Sequence, residues 1–315
     1  MISFIVPFST IEKNKFLNLN EKEDLWEENN TANIVKSTIK TIQNIDSLKC
    51  EKEILLIDNS HTWPNQLYQS IRFEGGVLPN IRVIKGWQAL PLEELKKISE
   101  YMNHRDIEHS LDNLGCLTMW VSMAFHLGTQ EAKGEYVVLQ HNDTFYHRDC
   151  IDEMIEQMET EDLQYISVDN KKIWISTYLL NKDFLDKNIK EYSEQPVIIR
   201  PESGGYVKTK KIGFADAYFF LCKRKFFDIY NVDWYYGDTN HGATIYCLKN
   251  NLKYLHLGPY YDNPNWETED TLHTYYYKDK PFLTHLKGGF SENKMSSKNF
   301  EEEYNNYLEE LENAN

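Results

Sequence analysis

Gly134-Glu135-Tyr136-Val137-Val138-Leu139-Gln140 runs directly into His141-Asn142-Asp143-Thr144. The first part is an apolar, β-branched run of strand length; the second is a cluster of turn formers. A strand apolar on both faces belongs inside a parallel sheet covered by helices. Residues 114–130, rich in apolar side chains, predict a helix before it. Outward from this block, Ile2-Ser3-Phe4-Ile5-Val6-Pro7 predicts a buried strand stopped by proline. Glu53-Ile54-Leu55-Leu56-Ile57-Asp58 predicts another, ending in the turn signal Asp58-Asn59-Ser60. Between them Ile34, Val35, Thr38, Ile39, Ile42 and Ile45 recur at helical spacing, which predicts an amphipathic helix over 32–48. Ile81-Arg82-Val83-Ile84 predicts a short strand. This alternation indicates a mainly parallel α/β sheet in the first half.

The second half changes character. A short helix is expected over 150–159, strands over 165–168 and 173–178, and a turn or mobile loop over 196–211 around Glu202-Ser203-Gly204-Gly205. Residues 217–222 are apolar and aromatic; 239–250 predict a helix with Ala243, Tyr246 and Cys247 on one stripe. After 254–257 the chain reads as Tyr-rich and irregular through Tyr277. From Ser297 the residues Phe300, Tyr304, Tyr307, Leu308 and Leu311 share one face opposite glutamates, an acidic amphipathic helix that docks on the body or meets a partner. The polar stretch 12–30 is a loop or weak helix, and 86–113 has the look of an insertion.

The chain has 315 residues, 41% of them hydrophobic and 14% aromatic, so it can build a sizeable core and is not disordered as a whole. It carries 49 acidic side chains against 34 basic ones, a net charge of −15. That balance argues against nucleic acid or an anionic membrane as partner. It also means that an anionic ligand would need something other than bulk charge to hold it. No basic segment precedes the apolar start, and no apolar run approaches the ~20 residues of a membrane span. Cys50, Cys116, Cys150, Cys222 and Cys247 form no C-x-x-C pair and read as small buried hydrophobes. A soluble cytoplasmic protein is expected, with peripheral attachment to a membrane left open.

Polar residues gather at three strand ends: Phe8-Ser9, Asp58-Asn59-Ser60 and His141-Asn142-Asp143. In open α/β sheets ligands bind outside the carboxyl ends of the strands, so these can form one site. Each has a plainer reading, since Asp58 and Asp143 also suit Asx-turns.

On these residues the chain resembles family 2 glycosyltransferases. The family opens on a strand like Ile5-Val6-Pro7-Phe8-Ser9, and its second strand ends like Ile57-Asp58-Asn59-Ser60. Its most specific block is matched by Ala124-Phe125-His126-Leu127-Gly128, then Ala132-Lys133-Gly134-Glu135-Tyr136-Val137, then His141-Asn142-Asp143, without gaps. A later block is matched by the apolar run from Phe219 to Phe227 leading to Tyr236-Gly237-Asp238-Thr239. The chain departs from the pattern at His141, where the first Asp of D-x-D would stand, and at Gly237, in place of a Glu.

The resemblance implies a GT-A-like α/β fold: a mainly parallel central sheet flanked by helices, a mixed acceptor-side subdomain and a C-terminal helix. Residues 1–145 would form the nucleotide-sugar half, 146–285 the acceptor half of the same domain, and 286–315 the tail. It implies transfer of a sugar from a nucleotide-diphosphate donor to a saccharide or glycoconjugate hydroxyl, with inversion. Pro7, Phe8, Ser9, Asp58, Ser60, His126, His141, Asn142 and Asp143 would meet the donor. Mn²⁺ or Mg²⁺ would be held by Asp143, with His141 and a late histidine, His285, as further ligands; His285 has the alternative of being a surface or packed histidine. Asp238 would be the general base, or only the N-cap of the helix that follows, and the two roles can coexist. Trp234, Tyr235 and Asp216 would line the acceptor side, with ordinary core as the alternative for the two aromatics. A non-catalytic nucleotide-sugar-binding or interaction protein on the same fold is the rival. A nucleotidyltransferase ranks below it, because residues 9–20 hold no Gly or Arg, and a dehydrogenase lower still without G-x-G-x-x-G. The sugar, linkage and oligomeric state are not set by the sequence.

Overall fold

The structure is a computed structural model. It describes residues 1–8, 28–58, 80–86, 117–170, 172–175, 197–200, 204–208, 214–226, 241–258 and 272–286. In chain order these form β1 (Ile2–Phe8), α1 (Glu28–Ser47), β2 (Lys52–Asp58), β3 (Ile81–Lys85), α2 (Leu117–Glu131), β4 (Tyr136–Gln140), β5 (Thr144–Tyr146) and α3 (Ile151–Glu161). They continue as β6 (Leu163–Asn170), β7 (Lys172–Ile175), β8 (Val197–Arg200), β9 (Gly204–Lys208), β10 (Phe214–Lys223), α4 (His241–Asn250), β11 (Lys253–Leu257), β12 (Leu272–Tyr277) and β13 (Lys280–Leu286).

The expected α/β architecture with a mainly parallel sheet is present. A seven-stranded sheet runs β11-β6-β10-β4-β1-β2-β3. β3, β2, β1 and β4 are mutually parallel, and β10 lies antiparallel between β4 and β6. Every residue of β1 is buried, as a strand covered on both faces requires. Its side chains alternate between two cores. Phe4, Val6 and Phe8 join Ile39, Ile42 and Ile45 of α1 and Met154 and Met158 of α3. Ile5 joins Ala124, Phe125 and Leu127 of α2 and Ala243 and Cys247 of α4.

Two glycines of the sequence block explain themselves through close approach. A Cβ on Gly128 would stand 2.3 Å from Ile5 Cγ2, so α2 lies on β1 at a distance only a glycine permits. A Cβ on Gly134 would stand 2.7 Å from the Ser3 amide nitrogen and the Tyr136 carbonyl oxygen, neither of which can rotate away. Gly134→Ala is therefore expected to destabilise the protein by about 1–3 kcal/mol, the usual cost of overpacking, read as a lower urea midpoint with unchanged slope.

Around Gly134 a hydrogen-bonded chain fastens the amino ends of the strands. Gly134 N–H donates to Ser3 Oγ at 2.8 Å, and Ser3 Oγ donates to Glu53 Oε1 at 2.6 Å. The Lys133 amide donates to the same Oε1 at 2.6 Å, and Arg82 Nη1 meets Oε2 at 3.1 Å. Burial pushes the Glu53 carboxyl up, but the bonds from Ser3, Lys133 and Arg82 outweigh it and leave it below its ordinary value of 4.5. A carboxyl lowered by folding stabilises the native state above its unfolded pKa, and that contribution is lost as pH falls through the folded pKa. The stability gap between the wild type and Glu53→Gln should accordingly be full near neutral pH and shrink below about pH 4.5, which urea melts across pH would show.

Four cysteines, Cys50, Cys150, Cys222 and Cys247, are buried and free, as expected. Burial pushes the Cys50 thiol up to about 11 and those of Cys150 and Cys247 to about 12. No helix among the described residues is long and apolar enough to cross a membrane.

Several local expectations are corrected. β1 is not stopped by its proline but runs through Pro7 to Phe8; β4 pairs only with Ile2–Ile5, so Pro7 stands past that ladder, where a missing N–H is tolerated. The loop expected over 196–211 contains β8 and β9, which with β7 form a separate antiparallel sheet; Gly204 and Gly205 are the first two residues of β9. The stretch through Tyr277 expected to be irregular contains β12, hairpinned to β13 through Lys278 and Asp279. Both turn residues have positive φ, the geometry that matches the twist of a two-residue hairpin. The turn after Asp143 passes at once into β5, which pairs with β13. The expected helix over 32–48 starts earlier, at Glu28. The tail helix from Ser297 lies outside the described residues.

Candidate functional site

β4 delivers the chain to His141-Asn142-Asp143 at its carboxyl end. Helix α1 pins this turn. Ser37 Oγ and Thr41 Oγ1 each donate to the Asn142 carbonyl at 2.9 Å, and Asn142 Nδ2 donates to Thr38 Oγ1 at 2.9 Å. Thr144 Oγ1 closes the turn on the His141 carbonyl at 2.9 Å. The side chain of Asn142 thus anchors the turn to α1.

Strand pairing then brings in a residue far along the chain. β5 is antiparallel to β13 with His285 opposite Thr144, which sets His285 beside Asp143. His285 Nε2 lies 3.3 Å from Asp143 Oδ1, and His141 Nδ1 lies 4.0 Å from the same oxygen. One ligand atom from each of His141, Asp143 and His285 falls within 4.8 Å of the others. Metal–ligand bonds of about 2.0–2.6 Å put the ligands of one ion at such separations.

The chemistry of the three groups fits an ion. Asp143 Oδ1 and His141 Nε2 are buried without a hydrogen-bond partner among the described residues. Buried polar groups are ordinarily satisfied, so orphaned ones call for an explanation. Burial, assisted by His285 and opposed by Asp143, lowers the His141 pKa to about 4, so its ring is neutral near pH 7 and keeps the lone pair a metal needs. Two imidazoles with one carboxylate suit a transition ion better than an all-oxygen cation.

The other expected site residues fall as follows. Asp58 is buried at the end of β2, beside Phe8 in register, and its carbonyl accepts from the Gly86 amide at 2.8 Å. Pro7 is buried on β1, and Phe8 packs into the core that α1 covers. His126 is half-buried on α2, its Nε2 3.0 Å from Gln130 Nε2, and is not one of the three convergent groups. Asp216 Oδ1 accepts from the Tyr218 amide at 3.3 Å. Ser9, Ser60, Trp234, Tyr235 and Asp238 lie outside the described residues.

Tyr218 was not singled out from the sequence, yet it touches both histidines. Its ring stacks on His285 with centroids 3.6 Å apart and meets His141 edge-on at 4.9 Å. The missing signal was register. Phe219 pairs with Gln140 in the antiparallel β10–β4 ladder, which places Tyr218 against His141.

No family model and no curated protein matches the sequence. Solved structures resemble its backbone. A mannosyltransferase from Pyrobaculum calidifontis, in complex with GDP-Man and Mn²⁺, aligns over 81% of this chain and 54% of its own at 10% identity and a TM-score of 0.43. Mouse xyloside xylosyltransferase 1 aligns over 81% of this chain and 84% of its own at 13% identity and the same score of 0.43. S. aureus TarS 1–349, in complex with UDP, aligns over 73% and 48% at 11% identity and a TM-score of 0.33. The chain spans about half the length of the archaeal and staphylococcal proteins. Function has to be argued from the site, since a shared fold does not fix it.

Proposed function

We propose that this chain is a GT-A-type glycosyltransferase that moves a sugar from a nucleotide-diphosphate donor to an acceptor hydroxyl with the help of a divalent ion. The observation that carries the reading is the convergence of His141, Asp143 and His285 at the carboxyl end of β4, where open α/β sheets bind their ligands. The resemblance of the surrounding sequence to family 2 glycosyltransferases supports it. When bound, the ion supplies the positive charge that a donor diphosphate requires and that a chain of net charge −15 does not offer in bulk. The two imidazoles favour Mn²⁺ over Mg²⁺.

In this reading His141, Asp143 and His285 hold the ion, and Asp58 with Pro7, Ser9 and Ser60 forms the nucleoside end of the cleft. Phe8 and Asn142 contribute through the scaffold, by core packing and by anchoring the turn. His126 belongs to the donor side by resemblance. Asp238 takes the proton of the acceptor hydroxyl. The acceptor oxygen then bonds to the anomeric carbon as the bond from that carbon to the diphosphate oxygen breaks, and the nucleoside diphosphate leaves with the electron pair. One in-line displacement inverts the anomeric configuration. Trp234, Tyr235 and Asp216 line the acceptor side, and a neutral saccharide or glycoconjugate suits so acidic a chain. The free cysteines suit a reducing compartment, the cytoplasm.

A panel of UDP-, GDP- and dTDP-sugars with Mn²⁺ tests the proposal. At least one donor should be hydrolysed or transferred, and at 100 times its Kd it should stabilise the fold by about 2.7 kcal/mol. A panel with neither turnover nor stabilisation would refute it. Gly237, in place of the Glu of the family pattern, favours one alternative, a binding protein without catalysis; stabilisation by a donor without turnover on any acceptor would support that one.

A further inference from the structure

We infer that Tyr218 is a positioning residue that fixes the two imidazoles of the His141–Asp143–His285 group for metal binding; the inference rests on the metal reading above. The ring of Tyr218 lies 3.6 Å from that of His285 at an interplanar angle of 19°, a face-to-face stack. It meets His141 at 4.9 Å and 85°, edge to face. The two imidazoles are themselves 5.7 Å apart. One aromatic ring therefore touches both nitrogen ligands, and it does so from a different sheet than the one carrying His285.

The stack has a mechanical consequence. Nε2 of His285 faces Asp143 Oδ1 at 3.3 Å. Turning the imidazole about its Cβ–Cγ bond would swing Nε2 away from Asp143 and drive the ring into the face of Tyr218. A flat neighbour thus selects the ring orientation that points a nitrogen at the carboxylate. Metal-ligating histidines are generally oriented by outer contacts, most often hydrogen bonds to the second ring nitrogen; here the face of Tyr218 is the outer contact.

The backbone is shaped to deliver this ring. In the β10–β6 ladder Ala215 pairs with Asp169 and Phe220 with Ser167, so β10 carries extra residues between them, a bulge that contains Tyr218. Bulges commonly re-aim side chains beside active sites. Ser167 holds this one from inside. Its buried hydroxyl donates to the Phe219 carbonyl at 2.8 Å and accepts from the Asp216 amide at 3.1 Å. Asp216 Oδ1 in turn accepts from the Tyr218 amide at 3.3 Å. The carboxylate that the sequence offered as an acceptor-side group is positioned to brace the bulge.

Manganese titration of the full chain, followed by the electron paramagnetic resonance signal of free Mn²⁺, tests the inference on four variants. The contact is made by the ring face, so Tyr218→Phe should bind Mn²⁺ like the wild type. Tyr218→Leu and Tyr218→Gln remove the aromatic face and should bind about 10–100-fold more weakly, while still melting cooperatively without metal because Tyr218 is only partly buried beside the core. His285→Ala should lose binding outright. If Tyr218→Leu and Tyr218→Gln bind as tightly as the wild type while His285→Ala does not, Tyr218 only fills space and the inference falls alone. If the wild type fails to bind, or His285→Ala binds unchanged, the metal reading falls and takes the inference with it.

Discussion

Asp143→Ala should weaken Mn²⁺ binding by more than about 100-fold, the upper end of what losing an outer contact costs, and yet leave the metal-free fold no less stable. The two halves of this result come from one geometry. Asp143 is the only anionic member of the triad, and both histidines face its Oδ1. Removing it takes away the charge that draws in a cation. Apart from the 3.3 Å approach of His285 Nε2, the same buried oxygen has no hydrogen-bond partner among the described residues, and a poorly satisfied buried acceptor costs about 1–3 kcal/mol. Its removal therefore relieves the apo protein, and the melting temperature in the presence of chelator should stay level or rise. A carboxylate that served only to shape a turn would give the opposite pair: metal behaviour untouched, stability lowered. The hydrogen bonds that shape this turn belong to Ser37, Thr41, Asn142 and Thr144 instead. Calorimetric titration with Mn²⁺ and a melt in chelator read both halves.

Asp238→Asn should lower kcat by about 10²–10⁴, the range for removing a general base, with donor affinity unchanged. Asparagine suits the choice between the two roles of Asp238, because it caps helices about as well as aspartate but cannot take a proton from the acceptor. A cap role predicts no loss of rate in Asp238→Asn; a base role predicts the full loss. Steady-state transfer rates with an active donor, alongside donor titration by fluorescence or calorimetry, separate them.

The sequence revealed the parallel half of the sheet because β1, β2 and β4 are continuous apolar runs that give way to Ser9, Asp58 and His141. Such runs have few alternatives to a doubly covered strand. β12 and β13 were missed because Tyr275 and Tyr277, both buried, lie in a run of tyrosines with no clear alternation of apolar and polar residues. β8 and β9 were masked by the glycines in and beside them, which read as turn residues. Gly128 and Gly134 stood out as a pattern, but their reason, the approach of Ile5 and Ser3, is a distance between elements. The site divides in the same way. His141 and Asp143 could be read from a local motif. His285 could be named from resemblance, but its place beside Asp143 depends on the pairing of β5 with β13, a contact between residues far apart in the chain. Tyr218 lies in an apolar, aromatic run where nothing sets it apart from its neighbours; only the register of β10 places it on the two histidines.

The central claim is that His141, Asp143 and His285 together hold a divalent ion. Crystals of the full chain soaked in Mn²⁺ and measured on both sides of the manganese absorption edge test it most directly. The account predicts an anomalous peak within bonding distance of Asp143 and both histidines, absent in Asp143→Ala crystals soaked alike. Soaked wild-type crystals with no peak at this position, or with manganese bound only elsewhere, would contradict it.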